Sequence, residues 1–223
     1  MTMSRVAFGR GLPIAMGVAV LSFLALLGFL LVDGRLLDGR LAAADAGINA
    51  VFGRYRAEPG LTAFLWVTAF GANPAIVAAA ATASAFLWSA RRLRSVAALW
   101  LTLLGAQATS WTIKFLIGRA RPTFLDLITA DSPSFPSGHA TSAMAVYGLL
   151  AWLVTRPGSR SPGKVPAAVM GATLVLIALI GFSRIFLSLH YTSDVLGGFL
   201  VGWFWMLVGI AVVRRGDPPS PLR

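Results

Sequence analysis

Three groups of residues in the second half of this sequence carry the side chains that handle a phosphate: Lys114 with Arg121-Pro122, then Pro136-Ser137-Gly138-His139, then Ser183-Arg184 with His190 and Asp194. Guanidinium and ammonium groups hold the nonbridging oxygens of a phosphoryl group, one imidazole can attack phosphorus, and a second can move a proton. Each group borders an apolar stretch of helix length. A membrane fold could therefore bring three cations, two imidazoles and one carboxylate to a common depth.

Taken singly, each group also has a plainer reading. Lys114 falls near the end of an apolar span, where a charge costs something below the roughly 2.5–3.5 kcal/mol of a helix centre, and a lysine there can simply snorkel. Pro136 and the capping Ser137 precede an apolar run and mark a helix N-terminus, whose free N–H groups and dipole favour an anion. Gly138 lets the backbone approach closely, and His139 is either a proton donor beside the bound group or an interfacial residue. His190 and Asp194 stand four apart, so on a helix they share a face and the carboxylate orients the ring. An acid entering a span demands such a partner. Arg119 reads as a solvated or headgroup-binding residue outside this set, and Asp126 and Asp131 as solvated loop acids.

Of the 223 residues, 57% are hydrophobic and only 12% are charged, which places the chain among polytopic membrane proteins. In lipid the backbone must satisfy its own hydrogen bonds, so the expected fold is an all-α bundle forming one domain over 1–223. Hydropathy predicts six spans, at about 12–32, 61–88, 95–117, 138–155, 165–182 and 192–213. The first is too long for the apolar core of a signal peptide and is expected to stay uncleaved. No cysteine is present, which excludes disulfides and thiolate metal sites. No cluster of Asp, Glu and His has metal-ligand spacing, so no metal or other cofactor is expected.

The formal charge of +11 does not imply a nucleic-acid partner, because the basic residues are not gathered on a soluble domain. Alternating the loops instead collects Arg5, Arg10, Arg91, Arg92, Arg94, Arg156, Arg160, Lys164, Arg214, Arg215 and Arg223 on one side, with Asp217 as its one acid. By the positive-inside rule that side is cytoplasmic. Both termini then face the cytoplasm, and the phosphate-handling loops face outward. Segment 33–60 falls outside, with Leu36, Leu37, Leu41, Ile48, Val51 and Phe52 suited to one face of an interfacial helix. It is either a surface linker or an element that admits a lipid. Trp66, Trp88, Trp111, Trp152, Trp203 and Trp205 are expected near the headgroup layers.

The three groups together resemble the type 2 phosphatidic acid phosphatase (PAP2) family, within the superfamily that includes vanadium-dependent haloperoxidases. The pattern Lys-x6-Arg-Pro, Pro-Ser-Gly-His and Ser-Arg-x5-His-x3-Asp is intact here, in order. The resemblance implies that His190 attacks phosphorus to form a phosphohistidine while Asp194 orients it, and that His139 protonates the leaving oxygen. It further implies that Lys114, Arg121, Ser137, Gly138 and Arg184 hold the phosphate without a metal. The implied activity is hydrolysis of a lipid phosphomonoester or pyrophosphate, of phosphatidate, phosphatidylglycerol phosphate or undecaprenyl pyrophosphate type, at the outer face of a bacterial-type cytoplasmic membrane. A lipid phosphotransferase with the same site and a silent lipid-binding or transport relative are the alternative readings. Oligomeric state is not readable from the sequence.

Overall fold

The computed structural model describes residues 40–122, 132–156 and 165–214, together with Gly17, Val20, Leu21, Leu24 and Gly28 as separate helical positions. The rest of the expected 12–32 span, Leu36 and Leu37, Asp126 and Asp131, and the basic residues of both termini and of 157–164 lie outside the described residues. All regular structure among the described residues is helical. In order it comprises α1 Arg40–Gly53, α2 Gly60–Ala69, α3 Asn73–Ser89, α4 Leu93–Ile117, α5 Gly138–Ser142, a π-helical turn Ala143–Tyr147, α6 Gly148–Thr155, α7 Val165–Phe186 and α8 Thr192–Arg214.

Three of these helices, α4, α7 and α8, are long and apolar enough to cross a membrane, and α2 with α3 makes a fourth candidate bent by 43°. Their outward sides carry Leu104, Phe115 and Leu116 of α4, Leu174 and Val175 of α7, and Phe86 of α3, all more than half exposed. So much exposed apolar side chain suits contact with acyl chains and not water. The protein is a multi-pass membrane protein.

Two expected spans differ in form from the sequence reading. The 61–88 span is broken at Phe70-Gly71-Ala72, where Pro74 sits in the first turn of α3 and its missing N–H suits a helix start. The 138–155 span is three consecutive pieces, α5, the π turn and α6, joined through residues that keep helical dihedrals. Each piece is too short to count as a span alone. The expected 165–182 span, α7, runs on to Phe186, so Ser183 and Arg184 lie in its last turn instead of beyond its end.

Small residues set the packing that matters for the site. α8 lies along α4 and crosses α5 and the π turn. A Cβ on Gly105 would strike the Trp205 ring at 2.3 Å, and one on Gly202 would strike the Thr141 carbonyl oxygen at 2.4 Å. Glycine at such crossings lets backbones approach where lipid offers no hydrophobic drive. Trp205 is accordingly an internal residue, donating to Thr109 Oγ1 at 3.0 Å, and does not mark a headgroup layer. The main apolar core, with Ile76, Leu99, Leu103, Leu149, Leu153, Leu207 and Ile210, joins α3, α4, α6 and α8. Beyond it, Arg156 and Arg214 both lie 5.6 Å from the Trp152 ring, so the ends of α6 and α8 meet there. The opposite ends of α4 and α8 carry Lys114 and Asp194. The basic ends and the phosphate-handling residues are therefore at opposite ends of the bundle.

The described part of segment 33–60, from Arg40 on, is more than a surface linker. Its helix α1 docks through Phe52 on Phe182 of α7, rings 5.1 Å apart and nearly perpendicular. Leu41 packs toward Ile113 and Phe135, whereas Ile48 and Val51 stay exposed. Among the described residues, Leu41, Ile48, Val51 and Phe52 thus do not form one interfacial face. Asp45, on the inward side, is buried.

Candidate active site

Four chain segments deliver the polar residues to one end of the bundle. α4 stops because Gly118 adopts φ 64, a left-handed conformation that costs glycine little, and its N–H bonds back to the Lys114 carbonyl at 2.9 Å. That turn sends Arg119 and Arg121 back across the helix end. α5 begins at Gly138, with Ser137 in extended backbone at the cap position. α7 supplies Arg184. α8 begins at Thr192, and Asp194 in its first turn accepts the Tyr191 N–H at 2.8 Å, closing the helix start as a capping carboxylate does.

His190 is buried and lies just ahead of α8, not on it. The expected helical pairing with Asp194 is replaced by this turn, yet the two still meet, His190 Nδ1 to Asp194 Oδ2 at 3.5 Å. The backbone N–H of His190 donates to the Arg184 carbonyl at 3.2 Å. Arg121 NH1 approaches His190 Nε2 at 3.3 Å and donates to the Leu189 carbonyl at 2.8 Å. A guanidinium cannot accept, so Nε2 must be the accepting nitrogen, and the ring proton is assigned to Nδ1, facing the carboxylate. Burial also pushes the His190 pKa down to about 3, leaving the ring uncharged at neutral pH. A neutral imidazole with its Nε2 lone pair toward the cations is the form that attacks phosphorus.

The cations differ in how far they are committed elsewhere. Arg121 also donates from Nε to the Ser132 carbonyl at 2.8 Å and from NH2 to Ser132 Oγ at 3.0 Å. Arg184 donates from NH1 to Thr68 Oγ1 of α2 at 2.8 Å, while its buried Nε has no partner. Lys114 donates to the carbonyls of Pro133 at 2.6 Å and Ser134 at 3.4 Å, so it pins the loop ahead of Pro136 as well as charging the site. Ser137 makes no capping bond, and its Oγ is buried and unpartnered. A Cβ at Gly138 would meet nothing within 4 Å, so that residue faces open space. An unpaired hydroxyl and an unpaired guanidinium N–H are what an oxyanion would satisfy.

His139 is half-buried and lies within electrostatic reach of Arg184, His190, Arg121 and Lys114. Its far side abuts the break between α2 and α3, because a Cβ on Gly71 would come within 3.1 Å of His139 Cδ2. All eight residues picked from the sequence therefore come together.

Several neighbours escaped the sequence reading. Arg119 is buried, not solvated, and its NH1 meets Asp194 Oδ1 at 2.6 Å while NH2 meets Asp45 Oδ2 at 2.9 Å. Ser134 Oγ donates to Asp194 Oδ2. Thr68 and Gly71 come from the broken span. One signal pointed to Asp45: a carboxylate set among Ala42, Ala43, Ala44 and Ala46 in an apolar helix demands a buried partner. Next to the site, α1 and the loops carrying Pro122 and Tyr191 border a groove of about 500 Å³ lined by Asn49, Arg54, Arg56, Pro122 and Tyr191 among others. Among the described residues no group of three or more His, Cys, Asp or Glu is placed to hold a metal ion.

Phosphatidylglycerophosphatase B of Bacillus subtilis (strain 168) is 38% identical over 92 residues, which cover 40% of this chain but only 44% of that protein. Decaprenylphosphoryl-5-phosphoribose phosphatase of Mycolicibacterium smegmatis is 34% identical over 159 residues, covering 69% of this chain and 80% of the relative. The fold is shared with the crystal structure of a transmembrane PAP2 type phosphatidylglycerolphosphate phosphatase from Bacillus subtilis, at a TM-score of 0.79 and 24% identity over 91% of this chain and 97% of that one. With the sequence model of the PAP2 superfamily matching residues 95–217, which hold all eight residues, the chain belongs to that superfamily.

Proposed function

We propose that the protein is a lipid phosphatase that works through a phosphohistidine, using the whole of 1–223 as one six-span domain. In the first step Nε2 of His190 forms a bond to phosphorus, the bond to the leaving oxygen breaks, and that oxygen takes a proton from His139. In the second step His139 accepts a proton from water, the hydroxide attacks phosphorus, and the P–N electron pair returns to Nε2 as phosphate leaves. Asp194 holds the Nδ1 proton throughout. Lys114, Arg121, Arg184, Ser137 and the Gly138 amide carry the charge of the pentacoordinate state. The observation that carries this reading is the unpaired Ser137 Oγ and Arg184 Nε beside a neutral, correctly oriented His190.

The substrate is a lipid phosphomonoester or pyrophosphate. The relatives' names, a phosphatidylglycerophosphatase and a decaprenylphosphoryl-5-phosphoribose phosphatase, favour a monoester. The site at one end of the bundle supports a headgroup at the interface with its chains in the bilayer, and the basic groove beside Pro122 and Tyr191 supports a polar headgroup lying against α1. Purified protein in detergent, given phosphatidate, phosphatidylglycerol phosphate and undecaprenyl pyrophosphate with a chelator present, should release phosphate from at least one. His190→Ala should reduce that release by at least about three orders of magnitude. Release that survives His190→Ala would refute the phosphohistidine, and transfer of the label to added alcohol in place of water would make the enzyme a phosphotransferase.

The proposed orientation puts the basic ends in the cytoplasm, with both termini, and the site outside. The sequence has no cysteine, so a single one is a unique label. Tyr55, 69% exposed after α1, and Ala90, exposed between α3 and α4, report the two ends. In intact cells an impermeant maleimide should label Tyr55→Cys, and Ala90→Cys only after permeabilisation. The reverse pattern would place the reaction in the cytoplasm.

A further inference from the structure

Arg119 is a guanidinium shared between two buried carboxylates, and only one of them belongs to the proposed catalytic pair. Its NH1 binds Asp194 Oδ1 at 2.6 Å and Ser193 Oγ at 2.7 Å, while NH2 binds Asp45 Oδ2 at 2.9 Å. Asp45 in turn accepts the Ser193 N–H at 3.1 Å and the Ser193 hydroxyl. The relative exposures are 3% for Asp45, 7% for Arg119 and 0% for Asp194, so water screens these charges little. Arg119 is further fixed by the Tyr191 ring, 4.3 Å below its guanidinium carbon, and by its carbonyl, which accepts the Ser134 N–H at 2.7 Å. α1, the α4–α5 loop and the start of α8 thus meet on one side chain.

The charge arithmetic gives the second carboxylate a task. Asp194 is useful to His190 because its negative charge compensates the positive charge that grows on the ring as Nε2 attacks. A guanidinium at 2.6 Å would largely cancel that charge if it were the only neighbour. Two carboxylates and one guanidinium leave a net charge of minus one on the Nδ1 side, opposite the Lys114, Arg121 and Arg184 cations that face the phosphate. Resting on the reading of His190 as nucleophile, we infer that Asp45, outside the stretch matched to the superfamily, is a positioning residue that engages Arg119 so that Asp194 keeps its charge and orientation toward His190.

The inference predicts a change in turnover without a change in anion binding. Asp45→Asn keeps the size but removes the charge, and it turns one of the two accepting oxygens into an NH2 donor. It should lower kcat roughly ten- to hundredfold, the usual scale for losing a partner behind the reacting groups, with KM and inhibition by inorganic phosphate within about threefold of wild type. Asp45→Asn with Arg119→Gln restores the net charge of minus one, and its kcat should exceed that of Asp45→Asn alone by at least about fivefold. A purely structural ion pair predicts the opposite order, because the double variant loses more contacts. A wild-type kcat in Asp45→Asn, or a double variant no faster than the single, would overturn the inference. Should Asp45→Asn fail to fold, the double variant decides alone, with kcat within thirtyfold of wild type supporting the inference and a larger loss overturning it. The reading of His190 is judged separately, by wild type against His190→Ala on the same substrate, and if that pair fails the inference falls with it.

Discussion

Asp194→Asn should lower kcat by about three to four orders of magnitude while inorganic phosphate still binds within a few-fold of its wild-type affinity. The exchange is nearly isosteric, so the loss would come from proton placement. In the wild-type site Oδ2 of Asp194 accepts the Tyr191 N–H, the Ser134 hydroxyl and the Nδ1 proton of His190. An amide NH2 turned toward the ring donates instead, which drives the imidazole proton to Nε2, where it blocks the lone pair needed for attack. An amide turned the other way presents its NH2 to Arg119 and leaves that guanidinium facing a donor. The same exchange in a Ser-His-Asp triad costs about 10⁴ in kcat for the tautomer reason. Rapid-quench measurement of the phosphoenzyme isolates the step: its formation should slow by the full factor, and an unchanged rate would refute the orienting role. Phosphate binding must stay intact because Arg121, Arg184, Ser137 and Gly138 are untouched.

The residues that make bonds to a phosphate were legible because charge and imidazole are rare in apolar sequence and each needs a reason there. Their supports were not. Thr68 on Arg184, Asp45 on Arg119 and Gly71 against His139 are contacts across 116, 74 and 68 positions of sequence, and nothing local distinguishes Thr68 from any threonine in a helix. Arg119 was misjudged because an arginine in a loop is usually solvated, and only the burial of Asp45 and Asp194 around it reverses that. The break after Ala69 had a local signal in Gly71-Ala72-Asn73-Pro74, which average hydropathy over a span hides. Trp205 was misplaced for a related reason: an aromatic near the end of a span looks interfacial until Gly105 opposite it provides the space.

Gly198→Ala should cut kcat/KM at least a hundredfold, although it adds one methyl and lies in a helix that favours alanine. A Cβ there would sit 2.6 Å from the Ser137 carbonyl oxygen, 3.0 Å from Ala140 Cβ and 3.2 Å from Thr141 Oγ1. The first of these is backbone and cannot rotate away. The Ser137 carbonyl is held by the Thr141 N–H at 3.0 Å and the Thr141 hydroxyl at 2.9 Å, and the Ser137 N–H is held by the Asp194 carbonyl at 2.9 Å. The methyl can be accommodated only by moving the start of α5 away from α8, which separates Ser137, Gly138 and His139 from His190 and Asp194. Overpacking of this kind costs roughly 1–3 kcal/mol of stability, and a displacement of about 1 Å between reacting groups can cost 10² in rate. kcat/KM should therefore fall at least a hundredfold, with affinity for inorganic phosphate falling too, because Ser137 and the Gly138 amide move with the helix. That joint loss separates Gly198→Ala from Asp194→Asn, where anion binding survives. Gly171→Ala on α7, whose added methyl meets nothing within 4 Å, is the matched control and should leave both quantities unchanged. Wild-type kinetics in Gly198→Ala would mean that the contact between α5 and α8 does not set the distance between the two histidines.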